Sequence, residues 1–226
     1  VENRKARKVR RKPAFSQELK KKEELANTWS HAAGILVAVA AIALLAVFAS
    51  LYGNVWHIVS FSIFGSTMLL LYVASTAFHG VGKPRLKYVL NKVDHIAIYF
   101  LIAGSYTPLA LTVLRGWVGW TLFGLVWALA IAGLIFKGWF YTARYRKLSA
   151  WLYVAMGWLI VIVIVPVIRY TPGITLWLLL AGGISYTVGA LFYLQKHKRL
   201  YHMIFHLFVL SGSILHFLAI LFLLPL

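Results

Sequence analysis

Seven runs of about twenty apolar residues dominate this chain, and a helix of that length matches the hydrocarbon thickness of a bilayer. They cover residues 29–51, 57–79, 94–114, 117–136, 149–168, 174–194 and 203–224. The second and sixth are interrupted by small or polar residues. A composition of 62% hydrophobic against 12% charged residues rules out a soluble domain. Only helices or closed barrels satisfy their backbone in lipid. The expected fold is therefore an all-α membrane protein, a seven-transmembrane helix bundle.

Basic residues set its expected orientation. Of the 23 Lys and Arg, 21 lie before the first run or in the gaps 80–93, 137–148 and 195–202, and only Arg115 and Arg169 lie in the alternate gaps. Positive charge stays on the cytoplasmic side, so the N-terminus is expected inside and the C-terminus outside. The same asymmetry makes the net charge of +18 a topology signal rather than a nucleic-acid footprint. Residues 1–26 form a basic cytoplasmic tail, disordered at first, in which Ser16 after Pro13 could cap a short amphipathic helix. That tail can attract anionic headgroups, but fixing orientation is its simpler role. Residues 27–226 form the seven-helix domain. A cleaved signal peptide fits poorly, because the first apolar run is too long.

Tryptophans near the run ends support these limits: Trp29, Trp139 and Trp151 on the inner side, Trp56, Trp117, Trp120 and Trp177 on the outer. Ala181, Ser185 and Gly189 repeat small residues every fourth position, a pattern for close helix packing. Pro108 is expected to kink the third span.

Placed on this topology, the intramembrane polar residues gather at one depth. His202 and His206 open the last span four residues apart, so their imidazoles point nearly the same way. His79 ends the second span with Ser75 one turn deeper, Asp94 and His95 begin the third, and Glu24, Asn27, Ser30 and His31 begin the first. All four groups fall near the inner leaflet. With no cysteine in the chain, a metal there must take histidine, carboxylate or water. Three histidines with an open position form the pattern of a catalytic zinc site. Each residue also has a plainer reading. Asp94, the only aspartate, could pair with Lys92. His95 and His57 read as interfacial and His197 as solvated among lysines. His216, ten residues past His206, is too far along the helix to share an ion and reads as a packing residue.

The sequence resembles the hemolysin III family of bacterial membrane proteins, relatives of the progestin and adipoQ receptors. The likeness covers about residues 23–222. It rests on Glu24-Leu25-Ala26-Asn27-Thr28-Trp29-Ser30-His31-Ala32-Ala33-Gly34, Ser75-Thr76-Ala77-Phe78-His79 and Asp94-His95-Ile96-Ala97-Ile98-Tyr99. It continues in Ala103-Gly104-Ser105-Tyr106-Thr107-Pro108, His202 to His206, and Gly212-Ser213-Ile214-Leu215-His216-Phe217. The resemblance implies a zinc ion near the cytoplasmic leaflet held by His79, His202 and His206. Asp94 would hold the metal-bound water, with Ser75 in the inner coordination environment. The wider superfamily includes alkaline ceramidases, so the implied chemistry is hydrolysis of a lipid amide or ester. Membrane lipid homeostasis and cytolysis are both associated with the family. The implied location is multi-pass in a cell membrane, the bacterial inner or plasma membrane. The short basic tail here argues against hormone reception.

The first expectation is thus a zinc-dependent hydrolase whose partners are membrane lipids, with a lipid or fatty-acid ligand and no nucleic acid. Asp94 and Ser75 would be catalytic, and Glu24, Asn27, Ser30 and His31 would support the ligands. A sensor with a structural zinc and a pore-forming hemolysin are the alternatives, the pore being weakened by the absence of a sustained polar stripe. For orientation, reporters fused to each end should place the N-terminus in the cytoplasm and Leu226 across the membrane. Both ends on one side would break the count of seven spans.

Overall fold

A computed structural model describes residues 14–140, 145–195 and 198–224. His197 and residues 1–13 of the tail lie outside the described residues. The spans are α1 (Ala14–Tyr52), α2 (Val55–Gly80), α3 (Pro84–Pro108) and α4 (Trp117–Ile135), then a fifth built from α5 (Arg146–Gly157) and α6 (Ile164–Tyr170), then α7 (Gly173–Leu194) and α8 (Tyr201–Leu221). Seven helical stretches are long and apolar enough to cross a membrane, and no strand occurs among the described residues. The chain is a multi-pass helical membrane protein. Large apolar side chains such as Leu36, Val165, Ile162 and Trp177 stand outward, as a lipid-facing surface requires. α1 is continuous from Ala14, so Ser16 falls inside it and no break separates the tail's last residues from the first span.

Local chemistry sets the turns. Asn54 caps α2, its Oδ1 accepting from the Trp56 and His57 amides, while the Asn54 amide donates to His57 Nδ1 at 3.3 Å. Pro84 opens α3, where a missing N–H costs nothing. Gly116 at φ 129° makes the turn into α4, a conformation closed to most side chains. Leu200 also has positive φ, 61°, directly before α8. Its amide approaches Glu23 Oε1 at 3.3 Å, so the turn that presents His202 is tied to α1. The third span does not stop at Pro108. It continues as a π-helical turn over Leu109–Val113, which absorbs the missing donor.

In lipid, helices associate through close packing and interhelical hydrogen bonds rather than hydrophobic expulsion. On α7 the seam runs through Gly182, Ser185 and Gly189: Ser185 Oγ donates to the Phe208 carbonyl at 2.8 Å, and a Cβ on Gly182 would strike the His216 ring. Ala181, expected on this seam, is exposed instead. Four-residue spacing drifts around a helix, and the neighbouring glycine takes the contact. The fifth span is broken by a 3₁₀ turn at Leu159–Val163, and Tyr106 of α3 fills the break. Its hydroxyl donates to the Gly157 carbonyl at 2.6 Å and accepts from the Ile160 amide at 2.9 Å. α1 packs on α2 and α8, α2 on α3, α3 on α5, α5 on α7, and α7 on α8, while α4 packs on the outside of α3. This ring encloses a cavity of about 250 Å³ to which α4 contributes no residue.

Candidate metal centre

α1, α2 and α8 meet at one end of the ring, and their polar residues meet with them. His79, His202 and His206 each offer a nitrogen, and the three lie within 4.8 Å of one another. His79 Nε2 and His202 Nε2 are 3.2 Å apart. The ring centroids of His206 are 5.0 Å from His79 and 4.5 Å from His202. His79 and His206 are buried and His202 is partly so.

The supporting contacts decide which nitrogens face inward. His79 Nδ1 lies 3.0 Å from Glu24 Oε2, and a carboxylate only accepts, so Nδ1 carries the proton and Nε2 keeps its lone pair. Lys87 Nζ holds the same carboxylate oxygen at 2.8 Å. Ser30 Oγ donates to the Asn27 carbonyl at 2.8 Å and lies 3.0 Å from His206 Nδ1. With its proton so used, the serine oxygen accepts from Nδ1–H, and His206 Nε2 is likewise free to bind. Those protonation states follow from the hydrogen-bond partners. Histidines in metal sites anchor their second nitrogen in this way. The three imidazoles could therefore hold a metal ion. The His79–His202 separation serves a hydrogen bond when one Nε2 is protonated and suits a shared ion when neither is.

The remaining expected residues lie around the cluster. His31 stacks on His206 with centroids 3.7 Å apart and meets the Tyr72 ring edge-on at 5.2 Å. Neither His31 nitrogen, nor Ser75 Oγ, has a hydrogen-bond partner among the described residues, although all are buried. Asn27 is buried beside Ser30. Asp94 is buried too, and it does not pair with Lys92, whose Nζ instead donates to the Gly138 carbonyl at 2.6 Å. His31, Ser75, Asp94, His202 and His206 all border the ring's cavity. Unpartnered buried polar atoms are costly in a protein interior, and the residues that carry these line the cavity.

Several residues were misread or missed from sequence. His95 is buried, not interfacial: its Nδ1–H donates to the Asn91 carbonyl at 2.8 Å and its Nε2 accepts from the Tyr193 hydroxyl at 3.0 Å. Asp94 Oδ2 also lies 3.3 Å from His95 Nδ1. Tyr193, near the end of α7, stands at the depth of the histidines but carried no motif that singled it out. His57, also read as interfacial, is buried and accepts from the Asn54 amide in the capping box of α2, and His216 packs in the bundle.

Fold and site define a seven-span helical membrane protein with a three-histidine cluster, fit for a metal, at one end of an apolar cavity. A sequence model of the family described as "Haemolysin-III related" matches residues 19–217. The chain belongs to that family. It is 45% identical over 201 residues to Hemolysin-3 homolog of Bacillus subtilis (strain 168), covering 89% of this chain and 94% of that protein. Against Hemolysin-3 of Bacillus cereus the identity is 44% over 201 residues, covering 89% and 91%. Against Monocyte to macrophage differentiation factor of Homo sapiens it is 30% over 204 residues, covering 88% and 83%.

Protein purified in detergent without added metal is expected to carry about one ion per chain, as a three-imidazole site does. Glu24→Gln, which keeps shape but loses the negative charge on His79, should weaken that affinity by ~10–100-fold. The double variant His202→Ala/His206→Ala should carry none. Full occupancy in it would refute the assignment.

Proposed function

We propose that the protein is a zinc-dependent hydrolase of a lipid amide or ester in the cell membrane, with His79, His202 and His206 as zinc ligands. The observation that carries this reading is the opening of the histidine cluster onto an apolar cavity that Asp94 and Ser75 also border. A purely structural site is closed, whereas a catalytic one keeps a position for water and substrate. Zinc suits three imidazoles without a thiolate. The three nitrogens lie within 4.8 Å of one another, close enough to converge on one ion.

The chain's own residues then have distinct tasks. The cavity, lined by side chains such as Ile98, Leu101, Val154 and Phe205, takes an acyl chain and keeps bulk water out. A zinc held by the three histidines would supply Lewis acidity and make a water more acidic. Asp94 would orient a water at the cavity's histidine end and take up its proton. Ser75 Oγ–H donates to the oxygen that becomes negative as the carbonyl is attacked. Glu24 and Ser30 hold the rings of His79 and His206 in register. His31, stacked against His206, backs that ring, and Asn27 fixes Ser30. A sensor with structural zinc is the second reading, favoured by one feature: the ligands tie α2 to α8, which pack on other neighbours in the ring.

Asp94→Asn separates the two. Asparagine keeps the size and one acceptor oxygen but cannot take a proton from water. Zinc should remain bound, while turnover of a panel of ceramides and acyl esters should fall by ~10²–10⁴. A wild type inert on every lipid, with a variant unchanged in phenotype, would favour the structural role.

A further inference from the structure

Asp94 is the only buried carboxylate among the described residues, and what holds it decides where its oxygens point. No lysine or arginine pairs with it among those residues, and Lys92 is turned away to the Gly138 carbonyl. Its contact is with a neighbour instead: Oδ2 lies 3.3 Å from Nδ1 of His95. The difference matters for chemistry. A cation beside a carboxylate favours the charged form and weakens it as a base, whereas a neutral N–H orients it at a smaller cost in basicity.

His95 is gripped so as to present that N–H. Its Nε2 accepts from the Tyr193 hydroxyl at 3.0 Å, which leaves the ring's proton on Nδ1. Nδ1 faces the Asn91 carbonyl at 2.8 Å and the Asp94 carboxylate at 3.3 Å, two acceptors that share one N–H. The backbone is pinned as well, because Tyr153 of α5 donates to the His95 carbonyl at 2.9 Å. Three helices thus meet on one residue: α3 carries it, α5 holds its main chain and α7 holds its ring. Asp94, His95, Tyr153 and Tyr193 all border the cavity. Glu24 and Ser30 of α1 hold His79 and His206, whereas α5 and α7 act on Asp94 through His95.

We infer that His95 is a positioning residue for Asp94, and that Tyr193 fixes the protonation of His95 that this task needs. This rests on the reading of Asp94 as the base of a lipid hydrolase. With Oδ2 held by Nδ1–H, Oδ1 is the oxygen left to a water in the cavity. Were the proton on Nε2 instead, a bare Nδ1 lone pair would face the carboxylate and repel it. The Tyr193 hydroxyl excludes that arrangement by giving its own proton to Nε2.

Two measurements on the intact protein in lipid nanodiscs test this. Nitrogen NMR of histidine-labelled protein, with the His95 signals identified by their loss in His95→Leu, should show the proton on Nδ1. A bare Nδ1 overturns the inference, whatever the turnover. The second measurement is turnover of the panel of ceramides and acyl esters. His95→Leu should lower kcat by ~10²-fold and Tyr193→Phe by ~10-fold, each with KM little changed and zinc retained. His95→Asn, whose amide N–H stands in for Nδ1–H, should recover part of the loss. In an Asp94→Asn background both substitutions should cost almost nothing further, because the group they act through is gone. Equal losses with and without the Asp94 carboxylate indicate a general packing role and overturn the inference. Full turnover in His95→Leu overturns it too, and both of these results leave the hydrolase reading standing. A wild type inert on every lipid in the panel removes that reading and the inference together.

Discussion

The contacts between α1 and the outer nitrogens of His79 and His206 are the constraint from which the site follows. A neutral imidazole has one nitrogen that donates and one that accepts, and a buried ring must settle which is which. Glu24 settles it for His79 and Ser30 for His206, each by taking Nδ1–H. Both Nε2 lone pairs are thereby turned toward the same space. The first span thus supplies no proposed ligand and still determines what the other two can bind. Lys87 extends the chain of control outward, because its ammonium holds the Glu24 carboxylate in place from the start of α3.

Holding that arrangement in a membrane needs helices that approach closely without a hydrophobic driving force between them. A Cβ added to Gly34 would strike the Tyr72 ring, and one added to Gly104 would strike Thr67, so the α1–α2 and α2–α3 seams depend on the missing methyl groups. The α7–α8 seam uses Gly182 and Gly189 in the same way. Where the fifth span gives up its helical hydrogen bonds, Tyr106 replaces them from α3. The ring therefore stays closed around a cavity that runs from the histidines into the bundle.

Much of this was legible in the sequence. The seven spans followed from run length, and His79, His202, His206, Asp94 and Ser75 were grouped because alternating direction assigns each a depth. Depth gives position along the axis but not around it. That is why Ala181 was placed on a seam that Gly182 occupies, and why His95 was assigned to the interface although it turns inward to Tyr193. Tyr193 and Lys87 lay at the right depth and carried no signal of their own, since tyrosines and lysines near a membrane boundary have ordinary interfacial uses. The unbroken run of α1 through Ser16 was also hidden, because a polar, lysine-rich stretch ahead of an apolar run looks the same whether or not it is helical.

The proposal of a zinc ion held by three histidines and open to the cavity can be tested at the metal itself. X-ray absorption at the zinc edge of the purified protein reports the number and type of atoms bound. Three imidazole nitrogens at about 2.0–2.1 Å with one oxygen neighbour are expected, and a cavity-filling fatty acid should alter the oxygen neighbour while leaving the imidazoles in place. A fourth protein ligand that closes the shell, or loss of any one imidazole from it, would contradict the account.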